Sequence, residues 1–137
     1  MRIVLDPNVL VSAAVASGVS AELLDRWFTD RPFELVVCPM LIGELRDVLE
    51  RPKFRRWITA EEVAVFVDRL AGEAESWVDP DEVPSVTVDP KDDYLVALHR
   101  SCQADLLVSG DSDLLGLVAP DVIVLTPGEL LDRLRPA

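Results

Sequence analysis

Four carboxylates in this sequence stand where they could assemble chemistry: Asp6, Glu44, Asp93 and Asp111. Two of them follow short apolar runs. Ile3-Val4-Leu5 stops at Asp6-Pro7-Asn8, and Leu106-Leu107-Val108 leads through Ser109-Gly110 into Asp111. A continuous run of branched apolar residues ending at a polar turn reads as a strand buried on both faces. Pro7 biases Asp6 toward extended backbone, so Asp6 is expected at the carboxyl end of the first strand, the edge where open α/β sheets bind ligands. The plainer alternative is that Asp6 and Asn8, like Asp111 and Asp113, only cap the helices beginning there.

Gathered in one place, four acids raise one another's pKa and resist ionisation unless a cation fills the space between them. Oxygen donors with no Cys or His among them select Mg²⁺ or Mn²⁺. Such ions hold a phosphodiester, activate water and stabilise the leaving oxygen in an in-line displacement. The chemistry these residue types suggest is metal-assisted phosphodiester hydrolysis.

The elements that must position the acids alternate strand and helix. After Asn8, residues 9–14 suit a short helix that Gly18 breaks, and Ser20 is expected to cap a second helix carrying Leu23, Leu24, Trp27 and Phe28 on one face. Phe33 to Cys38 reads as the second strand. Pro39 opens a helix to about Glu50, with Leu41, Leu45, Val48 and Leu49 inward and Glu44 at the margin of that face. Thr59-Ala60-Glu61-Glu62 has capping-box spacing, and the loop over 75–89 has room for a short strand at Val86 to Val88. Asp89-Pro90 then starts a helix whose standard turn places Tyr94, Leu95, Leu98 and Cys102 inside, Asp93 at the edge, and Asp92 outward with His99 and Gln103. On that phase Asp93 is the ligand, Asp92 a dipole or capping partner, and His99 has no chemistry. Leu106 to Val108, a short helix from Asp111 through Val118, a strand over 122–125 and a helix opened by Thr126-Pro127-Gly128-Glu129 complete the chain. The expected fold class is α/β: one domain over 1–137, with a mostly parallel central sheet of about five strands and helices on both faces.

Composition narrows the function. With 137 residues the chain has the length of one domain able to bury a core without staples. One His and two Cys without ligand spacing argue against zinc, and Cys38 and Cys102 are expected as reduced core residues. No apolar run reaches the length of a membrane span and no signal-peptide pattern opens the chain, so it is read as soluble and cytoplasmic. A net charge of -12 argues against nonspecific duplex binding, yet a carboxylate site that takes up divalent ions contributes to the same count. Against this acidity, the run 51–57 is basic and aromatic. Arg51, Lys53, Arg55 and Arg56, interleaved with Phe54 and Trp57, suit contact with phosphates and bases, the alternative being a solvated loop with its aromatic rings turned inward.

Four segments in this order, Asp6 to Ala13, Glu44 within Leu41 to Leu45, Asp92 to Leu98, and Ser109 to Leu114, resemble the ordered motifs of PIN-domain ribonucleases, in particular the toxin components of bacterial toxin–antitoxin pairs. The resemblance spans nearly the whole chain. It implies a Mg²⁺ or Mn²⁺ site of Asp6, Glu44, Asp93 and Asp111, with Asp113 as an auxiliary ligand and Asn8 and Ser109 orienting the acids by hydrogen bonds. It also implies an RNA substrate, a cognate antitoxin and a homodimer. One departure stands out: Pro7 replaces the Thr that usually follows the first Asp, removing a hydroxyl and an amide donor. Two other readings are a PIN-fold module that binds antitoxin or RNA with weak or lost cleavage, and a haloacid dehalogenase-like phosphatase. The phosphatase needs an acid two residues after its nucleophile, where this chain has Asn8.

Overall fold

A computed structural model describes every residue except Pro84, Val88 and Ala137. Five strands form one sheet in the order β3-β2-β1-β4-β5, and every pairing is parallel: β1 (Arg2–Leu5), β2 (Glu34–Val37), β3 (Glu75–Ser76), β4 (Leu106–Val108) and β5 (Val124–Leu125). The central strands are apolar throughout because both faces are covered: Ile3, Val4, Leu107 and Val108 have no exposed surface. Both edges of the sheet are two-residue strands, short enough to offer little to another chain's backbone.

Helices α1 (Pro7–Val15), α2 (Val19–Asp30), α3 (Pro39–Leu49) and α4 (Ala60–Glu73) connect the strands stepping from β1 toward β3. The chain then crosses back through α5 (Asp93–Ser101) to β4, and α6 (Ser112–Leu115) leads to β5. Right-handed crossovers stepping in opposite directions put these two groups on opposite faces. Accordingly α1 packs on α2 and α3, and α3 on α4, while α5 packs on β1 and β4. The closing helix α7 (Pro127–Leu134) returns to α2. Trp27 anchors the first layer, fully buried with its indole nitrogen donating to the Phe33 carbonyl at 3.1 Å. Capping boxes at Thr59 with Glu62 and at Thr126 with Glu129 start α4 and α7 as expected.

Several local expectations are corrected. Gly18, not Ser20, precedes α2, and its φ of 133° is a conformation that side chains disfavour. The third strand is Glu75–Ser76, reached directly from α4. Of the strand expected at Val86 to Val88, Val86 and Thr87 form irregular loop and Val88 lies outside the described residues. Helix α6 ends at Leu115 rather than Val118. No single helix among the described residues is long and apolar enough to cross a membrane.

Candidate metal centre

The chain leaves β1 toward β2 on one side and leaves β4 toward β5 on the other, so β1 and β4 flank the point where the topology reverses. Their carboxyl ends open a crevice there. Leu5 pairs with Val108, and the ladder continues one step further: the Asp6 amide donates to the Val108 carbonyl at 2.8 Å, bringing Asp6 level with Ser109. The buried Ser109 hydroxyl donates to Asp6 Oδ2 at 2.8 Å and accepts the Asp111 amide at 3.0 Å. The Asn8 amide donates to Asp6 Oδ1 at 2.9 Å, and the Asp113 amide to Asp111 Oδ1 at 2.9 Å. Asp6 and Asp111 therefore do cap α1 and α6, each with one oxygen. The second Asp6 oxygen is held by Ser109, while the second oxygen of Asp111 accepts no bond among the described residues.

Asn8 and Asp111 open onto a cleft of about 750 Å³ that Glu44, Asp92 and Tyr94 also line, together with Asp47, Asp89 and Lys91; the buried Asp6 is not among its lining residues. Glu44 comes from the middle of α3 and Asp92 from the 3-10 turn Pro90–Asp92 that leads into α5. Asp93 and Asp113 do not line this cleft. Asp93 is buried elsewhere: its Oδ1 accepts the Thr87 hydroxyl at 2.6 Å, the Thr87 amide at 2.8 Å and the Val86 amide at 3.1 Å, tying down the loop before α5. The expected placements of Asp92 and Asp93 are thus exchanged. A 3-10 turn advances about 120° per residue against about 100° in an α-helix, so Asp92, in that turn, does not lie on the phase projected back from α5. All residues from Asp93 to His99 are buried, His99 included, so α5 is covered on every side and has no outer face of the kind assumed for it. His99 leaves both ring nitrogens without a partner among the described residues.

The electrostatics carry the mark of crowded carboxylates. Burial raises the Asp6 pKa, and the Asp111 charge adds to it, against the Asn8 and Ser109 hydrogen bonds. Burial and the Asp6 charge likewise raise Glu44, with Lys91 and the Tyr94 hydroxyl pulling the other way. Asp92 is pushed up to about 6, first by burial and then by Asp6, Asp89, Asp111 and Glu44. By contrast, the Thr87 hydroxyl and the two amides hold Asp93 below the usual carboxylate range.

An acid whose folded pKa is raised binds its proton more tightly in the folded state. The stability this contributes is complete below the unfolded value near 3.8 and is lost as the pH rises through about 6. In chelator, melting temperature should therefore rise as the pH is lowered from about 7.5 to about 5, and Asp92→Asn should flatten that rise. Equal slopes in the two proteins would show that Asp92 does not share the crowded site.

The donor set is all oxygen, as Mg²⁺ and Mn²⁺ require. Among the described residues, no three acidic, His or Cys side chains stand close enough to hold one ion between them. Mg²⁺ commonly keeps several waters and takes only one or two carboxylates, so an open, acid-lined cleft suits a hydrated ion better than a closed cage.

The basic run divides. Arg51, Lys53 and Phe54 line the same cleft, as does Lys91. Arg55 is spent on the fold, donating to the Leu49 carbonyl at 2.7 Å and the Ile58 carbonyl at 2.9 Å, where it ties off the end of α3. Arg56 lies 5.0 Å from the ring centroid of Trp57, which is 55% exposed. Sequence reasoning missed Asp92 and Tyr94. For Asp92, the signal available was Pro90, whose fixed φ and missing N–H often accompany an irregular first turn.

Comparison with known proteins adds kinship. The sequence pattern of a family described as "PIN domain" matches residues 2–113. No curated protein matches the chain. Two solved structures share its fold: VapBC2 from Rickettsia felis, bound to a DNA fragment from their promoter, with a TM-score of 0.64 at 13% identity, and FitAcB from Neisseria gonorrhoeae, with a TM-score of 0.58 at 19% identity. Each alignment covers 92% of this chain and 98% of the other.

Proposed function

This chain belongs to the PIN-domain family, whose members are generally nucleases, and from that premise we propose that it is a Mg²⁺- or Mn²⁺-dependent endoribonuclease serving as the toxin of a toxin–antitoxin pair. One observation carries the reading. Glu44, Asp92 and Asp111, from three separate segments, line one cleft near enough to the buried Asp6 to feel its charge, and Arg51 and Lys53 line the same cleft. Carboxylates crowded until their pKa values rise call for a cation, and cations beside them call for a polyanion.

One or two of Glu44, Asp92 and Asp111 would hold a hydrated ion directly, and the remaining acids would act through its waters. Bound there, a divalent ion supplies Lewis-acid activation of water and of the scissile phosphate. The chain's own residues do the positioning. Ser109 fixes one oxygen of Asp6 and the backbone of Asp111, and the Asn8 amide fixes the other Asp6 oxygen, so neither acid swings when charge enters the cleft. Arg51 and Lys53 bind phosphates on either side of the bond to be cut, and the Phe54 and Trp57 rings offer faces on which unpaired bases stack. Contacts of this kind read backbone and base face rather than duplex edges, which favours single-stranded RNA.

Kinship of fold with VapBC2 and FitAcB supports an antitoxin partner. The family match leaves the phosphatase alternative without support.

The test is cleavage of a labelled RNA panel with Mg²⁺, Mn²⁺ or chelator. Cutting should need the ion, and the double variant Arg51→Ala with Lys53→Ala should raise KM at least tenfold and reduce the salt dependence of binding. Cleavage unaffected by chelator would refute the metal centre. Ion binding without cleavage of any RNA would favour a module that only binds.

A further inference from the structure

Tyr94 lines the cleft, and its hydroxyl has no role in the proposed reaction. It follows Asp92 by two positions, yet its ring is carried inward by the first turn of α5 and is 4% exposed. Its hydroxyl is buried and has no hydrogen-bond partner among the described residues. A phenol brought from water into a protein without a partner costs free energy, so a fold that keeps one at the edge of a polar cleft keeps a donor in reserve. Beside it lies the Glu44 carboxylate. The hydroxyl is close enough to help lower the Glu44 pKa and is itself most affected, after burial, by the Glu44 charge, but it falls short of hydrogen-bond geometry. After Glu44 in that influence come the buried Cys38 thiol, then Asp6 and Asp92.

Glu44 is less restrained than the acids around it. Asp6 is held through both oxygens and Asp111 through its amide and one oxygen, whereas the Glu44 carboxylate has no hydrogen bond among the described residues and sits at the end of a longer side chain. An acid that must meet an ion needs a fixed direction.

We propose that Tyr94 is the positioning residue for Glu44: its unpaired hydroxyl donates to one Glu44 oxygen when the cleft takes up a divalent ion, leaving the other oxygen turned to the ion. This deepens the metal-centre reading and rests on it. The bond is made only in the loaded state, so the hydroxyl adds nothing to the stability of the free protein.

The experiment is calorimetric titration of Mn²⁺ into wild type, Tyr94→Phe, Glu44→Gln and the double variant, with melting curves in chelator. Tyr94→Phe should weaken Mn²⁺ binding at least fivefold while melting at the same or a higher temperature, and it should have no further effect when Glu44 is already Gln. Undiminished binding by Tyr94→Phe would overturn the proposal and leave the metal centre standing. An equal loss in the Glu44→Gln background would overturn it as well, because Tyr94 would then act without Glu44. A wild type that binds no Mn²⁺ would overturn both, which separates the two failures.

Discussion

Asp92→Asn should abolish metal-dependent RNA cleavage, lowering kcat by on the order of 10³-fold or more, in a protein that melts no lower than wild type. The substitution preserves the shape of the side chain and removes its charge. Asp92 ends a 3-10 turn, lines the cleft with Glu44 and Asp111, and carries a pKa pushed up to about 6 by burial and four neighbouring acids. At neutral pH its ionised form is tolerated only against that repulsion, so the neutral amide should relieve the free protein while leaving any bound ion a weaker donor. Loss of activity accompanied by loss of fold would instead make Asp92 a structural residue. The measurement is kcat in Mn²⁺ beside a melting curve in chelator.

The neighbouring substitution should do the opposite. Asp93→Ala should cost on the order of 2–3 kcal/mol and lower the melting temperature by about 5–10 °C, because it strips three hydrogen bonds from the loop at Val86 and Thr87. The pH signs also differ. Asp93 has a lowered pKa, so its contribution is present above the unfolded value near 3.8 and is lost only as the pH falls through its lowered value. Asp92 acts in the window up to about 6 with the reverse sign. At temperatures where Asp93→Ala remains folded it should still cut RNA in Mn²⁺. Complete inactivity in a folded Asp93→Ala would make Asp93 a ligand after all.

The contrast between these adjacent acids shows where the sequence is legible. Strands announce themselves by composition: Leu106-Leu107-Val108 is read to the residue, and Asp6 is found at the end of β1 because Pro7 forces the exit. Asp6 and Asp111 also show that capping and site chemistry need not be alternatives, since one carboxylate has two oxygens and each of these acids spends one on its helix. Periodicity cannot supply the phase of a helix whose first turn is not α. A regular helix projected from Asp89 misplaces Asp92 because Pro90–Asp92 is a 3-10 turn, and misplaces Asp93 and His99 because α5 is buried on every side. Partners from distant segments are equally silent. Nothing near Arg55 tells that it will bond the Leu49 and Ile58 carbonyls while Arg51 and Lys53 border the cleft. The unpaired hydroxyl of Tyr94 becomes visible only when Glu44, from a distant helix, is brought beside it.

The proposed activity stands on the cleft lined by Glu44, Asp92 and Asp111 receiving a hydrated divalent ion. Anomalous diffraction from crystals grown in Mn²⁺ tests this without reference to any substrate. A peak is expected in the cleft bounded by those three carboxylates, and none there in crystals of Asp92→Asn. A peak at Asp93 or Asp113 with an empty cleft, or an unchanged peak in the Asp92→Asn crystals, would contradict it.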